Sequence, residues 1–307
     1  MLHRLWKHLK VARRLNLGPA SVVFRFERAV RLRTAPRTLP ALENQAPVTE
    51  VAHARAGPLG AERGAVSQSV SAKPEQETAL IVGAGPGLGE SLARRLASEG
   101  INIALASRDG LRLERLAGEL RRGGVRASGF TCDVTDELSV QELFETVCRE
   151  YGVPHLVVYA LQSFGPGRTV DIEVPAFEAG WRHNCFGAFL VARAAARLMA
   201  AAGRGTIVLV GSTSALIGRE NHLNLAAGKF GQRALAQVLA KEMWSHGVHV
   251  VHVVIDADIR EDVQEEFPQS QPEDLAETIC FLHRQPRTAW TSEIDLRPWN
   301  ERFWEHC

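Results

Sequence analysis

The sequence predicts an α/β fold: a doubly wound parallel sheet in a single domain, preceded by a basic helical arm. Three observations predict it. From Thr78 onward, short apolar runs alternate with segments of helical period. A glycine-rich turn, Gly83-Ala84-Gly85-Pro86-Gly87-Leu88-Gly89, follows the first run and opens a helical segment. The chain has 307 residues, 45% hydrophobic and 23% charged, enough for one large core. That composition excludes a disordered chain, a collagen-like repeat and a disulfide-built miniprotein.

The elements follow in order. Residues 1–40 hold ten Lys/Arg against one acid, Glu27, while the whole chain carries only +1. A basic arm therefore precedes an acidic body. Leu2, Leu5, Trp6 and Leu9 recur at helical spacing, Gly18-Pro19 breaks the pattern, and Val22, Phe26, Ala29 and Val30 form a second apolar face. The arm fits a helix pair packed on the body or on a partner, a peripheral membrane contact, or an organelle presequence. It carries no nucleic-acid-binding motif, and nucleic acid is not expected as a partner. Residues 41–76 are rich in Ala, Gly, Pro, Glu and Ser and lack aromatics, which makes them a flexible linker. Residues 77–307 form the domain. Strands are predicted at 79–82, 101–106, 127–132, 156–160, 206–210 and 248–255. Helices are predicted near 88–99, 110–122, 136–151, 175–202 and 222–245. Strands alternating with helices imply parallel pairing and right-handed crossovers. No uninterrupted apolar run reaches the length of about 18 residues that a membrane-spanning helix needs. Five scattered cysteines without CxxC spacing predict reduced thiols, a cytoplasmic setting and no metal site.

Gly83, Gly87 and Gly89 are spaced GxxxGxG. Such glycines let a backbone turn tightly against a pyrophosphate, and the helix N-terminus beginning at Leu88 adds N–H donors and a positive dipole. The second strand ends in Ser107-Arg108, where an acid would bond a ribose 2′-hydroxyl. A serine and an arginine suit a 2′-phosphate, and so NADP(H), unless Arg108 is only a surface charge. Asp133-Val134 ends the third strand, where the acid either meets an adenine amino group or serves a turn.

Those motifs, followed by Asn184, Ser212 and Lys229, resemble the short-chain dehydrogenase/reductase family over residues 77–297. The resemblance implies a Rossmann-like fold, a nicotinamide cofactor touching Ala160 and Lys229 as well, a small-molecule substrate and a homo-oligomer. It also implies an active-site tetrad of Asn, Ser, Tyr and Lys. Asn184, Ser212 and Lys229 match three members. The tyrosine position, four before the lysine, holds Leu225, which can neither donate nor accept a proton. Two more departures lie nearby. Val158-Tyr159-Ala160-Leu161 replaces the family's Asn-Asn-Ala-Gly, and Ile255-Asp256 replaces its Pro-Gly. An atypical subgroup shares the missing tyrosine, the stretch His252-Val253-Val254-Ile255-Asp256 and the tail Trp290-Thr291-Ser292-Glu293-Ile294-Asp295-Leu296-Arg297-Pro298.

Other groups compete for the proton. Tyr159 at a strand end is either catalytic or a packing aromatic. His222 is either a titrating group beside Leu225 or an exposed histidine of the first helical turn. Asp256 is either a base or a cap of its loop. Trp290, Trp299, Phe303 and Trp304 line a pocket, pack a dimer or cover the sheet edge. The expectation is an atypical NADP(H)-dependent oxidoreductase acting on a carbonyl or alcohol. The alternative is an inactive or non-redox nucleotide-binding scaffold on the same fold, with Leu225 sealed among apolar neighbours and no open crevice.

Overall fold

The structure, a computed structural model, describes residues 76–259 and 268–302. The basic arm, all but the last residue of the 41–76 linker, Phe303, Trp304 and Cys307 lie outside the described residues.

Strands β1 (Thr78–Val82), β2 (Asn102–Ser107), β3 (Ala127–Thr131), β4 (Leu156–Tyr159), β5 (Gly205–Val210), β6 (Val248–Ile255) and β9 (Glu293–Leu296) form one parallel sheet. Its order is β3-β2-β1-β4-β5-β6-β9. Two-residue strands β7 (Asp258–Ile259) and β8 (Gln269–Ser270) pair separately. The helices are α1 (Leu88–Ala97), α2 (Gly110–Arg122), α3 (Glu137–Tyr151), α4 (Val174–Trp181), α5 (Gly187–Ala202), α6 (Leu223–Met243) and α7 (Pro272–His283).

Each strand run that the sequence predicts is present, shifted by at most a residue at its ends. Central strands are apolar on both sides because helices cover both faces: every residue of β1, β4 and β6 is buried. One face packs Leu92, Ile103, Leu113 and Ile279, from α1, β2, α2 and α7. The other packs Val147, Tyr159, Val191 and Ala236, from α3, β4, α5 and α6. Caps fix where helices begin. Asp109 accepts from the Arg112 N–H and Asp136 from the Leu138 N–H.

The helix predicted at 175–202 is continuous but changes pitch. Arg182–Phe186 form a π-helical turn between α4 and α5. Val174–Ala202 is long and apolar enough to cross a membrane by length and composition. Here its Ala188, Leu190, Val191 and Met199 are buried against the sheet.

The sequence reading placed no element after 255, whereas the chain adds α7 and β9. β9 is an edge strand only half buried, so it shows no continuous apolar run. It brings the stretch 252–256 and the C-terminal tail side by side, pairing His252 with Glu293 and Ile255 with Leu296. Fully buried His252 places Nδ1 3.0 Å from Glu293 Oε2. Arg233 of α6 grips the same carboxylate with two bonds of 2.7 Å. Trp290 stacks on His249 at 5.0 Å and meets Trp244 edge-on, covering the sheet edge, whereas Trp299 is exposed.

Removing the shared carboxylate leaves a buried imidazole and a guanidinium without their partner. Glu293→Ala is expected to lower unfolding stability by about 2 kcal/mol, read from urea denaturation. Paired with Arg233→Ala, the loss should fall short of the two single losses added together, because both variants break one network.

Candidate functional site

All strands end on one sheet edge, and a cleft in two parts opens there. In α/β folds ligands bind outside the carboxyl ends of parallel strands. The first part is a groove of about 810 Å³ and the second a cavity of about 630 Å³. They share Gln162, Ile255, Ala257 and Asp258.

The glycine turn lines the groove. Gly83 has φ +97° and Gly87 φ +81°, where other residues are strained. A Cβ on Gly89 would come within 2.5 Å of the Gly83 carbonyl oxygen, so only glycine lets α1 start so close to β1. Ser107, Arg108, Asp133, Val134 and Ala160 join Gly83, Leu88 and Gly89 on the groove walls. Gly87 shapes the turn without lining it. Arg108 is exposed and makes no ion pair or hydrogen bond among the described residues. Arg112, which the sequence reading missed, lies one helical turn further along the same wall. Asp133 Oδ1 accepts from the Thr135 N–H (2.9 Å) and hydroxyl (2.8 Å). Those bonds hold its carboxyl below the usual range. It therefore serves a turn, while Asp136 caps α3, and it still faces the groove.

Lys229 is the deepest charged group of the cleft. Its side chain is buried, and Nζ donates to Val210 O (2.7 Å), Leu161 O (3.2 Å) and Gln232 Oε1 (3.3 Å). Three acceptors match the three N–H bonds of an ammonium. Burial pushes the group the other way, down to about 7. The amine joins the residue after β4 to the end of β5 and lines the groove floor.

Asn184 lies in the π-helical turn, fully buried, and lines neither part of the cleft. Its amide clamps one residue twice, accepting from the Ser163 N–H (2.9 Å) and donating to Ser163 O (2.7 Å). A Cβ on Gly228 would collide with Asn184, so α6 approaches this turn at a glycine. The asparagine thus fixes the loop that carries Gln162 and Phe164 into the cavity.

Ser212 and Leu225 line the cavity. Ser212 Oγ is buried without a hydrogen-bond partner in the protein, as is Thr213 Oγ1. Leu225 is buried yet borders open space, unlike the sealed packing that a binding-only scaffold calls for.

The competing groups resolve differently. Tyr159 is a packing aromatic: it is fully buried, its hydroxyl donates to His183 O, and burial drives its pKa up. His222 lines the cavity, stacks on Phe164 at 4.9 Å and donates from Nδ1 to Glu220 O. Asp256 is neither isolated nor a simple cap. It pairs with Arg297 and lies 3.7 Å from Arg219. Arg219 and Glu301 escaped the sequence reading because contacts from distant loops, not a local motif, bring them to the cavity; Arg297, part of the C-terminal tail, reaches Asp256 on its wall. Cys132, Cys148, Cys185 and Cys280 are free thiols.

The comparisons agree with this geometry. The family profile described as short chain dehydrogenase matches residues 77–267. D-threitol dehydrogenase of Mycolicibacterium smegmatis is 32% identical over 176 residues, 57% of this chain and 67% of that protein. A short-chain dehydrogenase structure from Rhodopseudomonas palustris superposes with TM-score 0.67 at 28% identity, covering 74% of this chain and all of that one. An alcohol dehydrogenase structure from the archaeon Thermococcus sibiricus, complexed with 5-hydroxy-NADP, gives TM-score 0.70 at 25% identity, covering 74% and 99%.

The buried amine carries a pH signature. Its folded pKa of about 7 lies below the ordinary lysine value of 10.5, so between those values the unfolded chain binds more protons. Unfolding free energy should therefore rise with pH across that window, and the contribution should be lost as pH falls to about 7. In Lys229→Met the rise should disappear, as chemical denaturation at pH 6, 8 and 10 would show.

Proposed function

Because the chain belongs to the short-chain dehydrogenase family, we propose that it is an NADP(H)-dependent oxidoreductase of atypical active site, acting on a carbonyl or alcohol. One observation carries this reading: the glycine-lined groove adjoins a cavity that holds an unpartnered Ser212 hydroxyl.

The groove fits a dinucleotide. Its turn is built around missing side chains, and the N-terminus of α1 adds donors for a pyrophosphate. Ser107 and Arg108, with Arg112 beside them, would meet a 2′-phosphate. Asp133, Val134 and Ala160 would border the adenine and the middle of the cofactor. When bound, the nicotinamide supplies or accepts a hydride.

The chain's own groups do the rest. Ser212 Oγ bonds the substrate oxygen and holds it at the cleft junction. Lys229 fixes the carbonyls of Leu161 and Val210 beneath the nicotinamide end, and Asn184 fixes Ser163. Leu225 excludes water from one wall but moves no proton, and Tyr159 has its hydroxyl committed to His183. The proton passes instead to or from water or His222, which lines this cavity. The D-threitol dehydrogenase relative and the NADP-type ligand in the archaeal structure support the reaction class and the cofactor. The homo-oligomer expected from the family, and a membrane contact through residues 1–40, belong to the same proposal.

Titration followed by protein fluorescence tests it. NADPH should bind more tightly than NADH, and Arg108→Ala should weaken NADPH about tenfold or more while leaving NADH unchanged. Binding of neither nucleotide would overturn the reading. With an active substrate, Ser212→Ala should lower kcat/KM about 10²-fold.

A further inference from the structure

The cavity beside the groove is unusually polar for a site that receives only a carbonyl. Ser212 Oγ and Thr213 Oγ1 are buried without protein partners. So are two donors of Arg219, Nε and Nη2, the latter facing Asp256 at 3.7 Å, beyond hydrogen-bond length. Asp256 is already engaged by Arg297, which leaves the Arg219 fork available. Buried polar groups are normally paired, so this set calls for a ligand that pairs with them.

The charges on the walls decide what kind. An apolar ketone would satisfy one hydroxyl and strand the arginine. A carboxylate or phosphate would suit the fork, but it would also face Asp256, Asp258 and buried Glu301 on the same cavity. A hydroxyl both donates and accepts, so neighbouring hydroxyls can accept from Arg219 and Thr213 while donating to the carboxylates. The stacked rings of Phe164 and His222 add an apolar wall for a C–H face.

We propose that this cavity takes a polyhydroxylated substrate, an alditol or the corresponding sugar-like carbonyl compound, in which the reacting carbon is flanked by further hydroxyls read by Arg219 and Glu301. This rests on the dehydrogenase reading for the reacting centre. In oxidation one C–H gives a hydride to the nicotinamide and the O–H of the same carbon gives a proton to water, leaving a carbonyl.

The test compares compounds matched in length. Erythritol, xylitol, ribitol and sorbitol are set against 1,4-butanediol, 1,5-pentanediol, 1,6-hexanediol and glutarate. Binding is read by saturation-transfer NMR on the full chain, with and without NADP⁺, and turnover by NADP⁺ reduction. At least one alditol should bind tenfold or more tighter than the diol of its length, and glutarate should bind no better than the diols. Arg219→Leu and Glu301→Gln should each erase that preference. Glu301→Gln keeps size and shape and so guards against a folding defect in the other variant. The proposal is overturned if a diol or glutarate binds as well as every alditol, or if no alditol binds. A separate NADPH titration keeps the two readings apart. Alditol binding without nucleotide binding defeats the oxidoreductase reading and leaves the cavity assignment standing; nucleotide binding without alditol preference does the reverse.

Discussion

The cleft depends on one buried amine. Lys229 reaches from α6 through the core to bond the carbonyls of Leu161 and Val210. Burying a lysine is costly, as its lowered pKa records, and the cost is offset only because all three N–H positions find acceptors. The consequence is geometric. β4 and β5 are neighbours in the sheet, and their ends are where the chain must leave toward the ligand. With both carbonyls tied to one atom, the segment beginning at Leu161 and the segment beginning at Gly211 hold a fixed separation. Gln162 and Ser212 are the next residues along, and they line the cleft. Asn184 adds a second restraint on the first segment through Ser163.

The far wall is held from the other end of the chain. β9 pairs with β6, and two side-chain contacts cross that pairing, a hydrogen bond of His252 with Glu293 and an ion pair of Asp256 with Arg297. The first ties the sheet edge to α6 through Arg233. The second fixes the residue after β6, beside the cavity. A tail remote in sequence from Ser212 therefore sets the charge that Ser212's cavity presents. Arg219 is polarised by the same carboxylate, so changes in the tail should be felt at the substrate, not only in stability.

Much of this was legible from residues alone, for physical reasons. Parallel strands buried on both faces leave continuous apolar runs, so β1, β2, β4, β5 and β6 could be read directly, and β3 followed from its place between two helical segments. The glycines at 83, 87 and 89 declared a turn because no side chain fits there. The groove walls followed, since successive strand ends carry them in order. β9 was illegible because an edge strand half exposed to solvent alternates polar and apolar, as a loop can. α7 had visible start signals, with Pro272 at its first turn followed by Glu273 and Asp274, but no strand before it anchored the pattern. The cavity wall was illegible for another reason. Arg219 and Glu301 converge from two separate segments, and no spacing rule relates them.

The departures from the family pattern form a coherent set. Tyr159 stands where a smaller polar residue is usual, yet its ring fills the core and its hydroxyl is bonded. Leu161, in place of glycine, lies against Gly83, where a Cβ would come within 2.9 Å of Leu161 Cγ; the glycine turn and the leucine fit each other. Asp256, in place of glycine, is nearly buried and would be costly alone, but Arg297 answers it. A site losing its function would accumulate such residues without partners. Here each replacement has its own partner, His183, Gly83 or Arg297, and the last comes from the C-terminal tail. The loss of the tyrosine belongs with these changes. Leu225 borders a cavity whose remaining walls supply hydroxyls, a guanidinium and carboxylates, so the apolar side chain in the tyrosine's place faces polar groups suited to the hydroxyl-bearing ligand proposed above. Under the proposed function, water or His222 carries the proton and the walls carry the recognition.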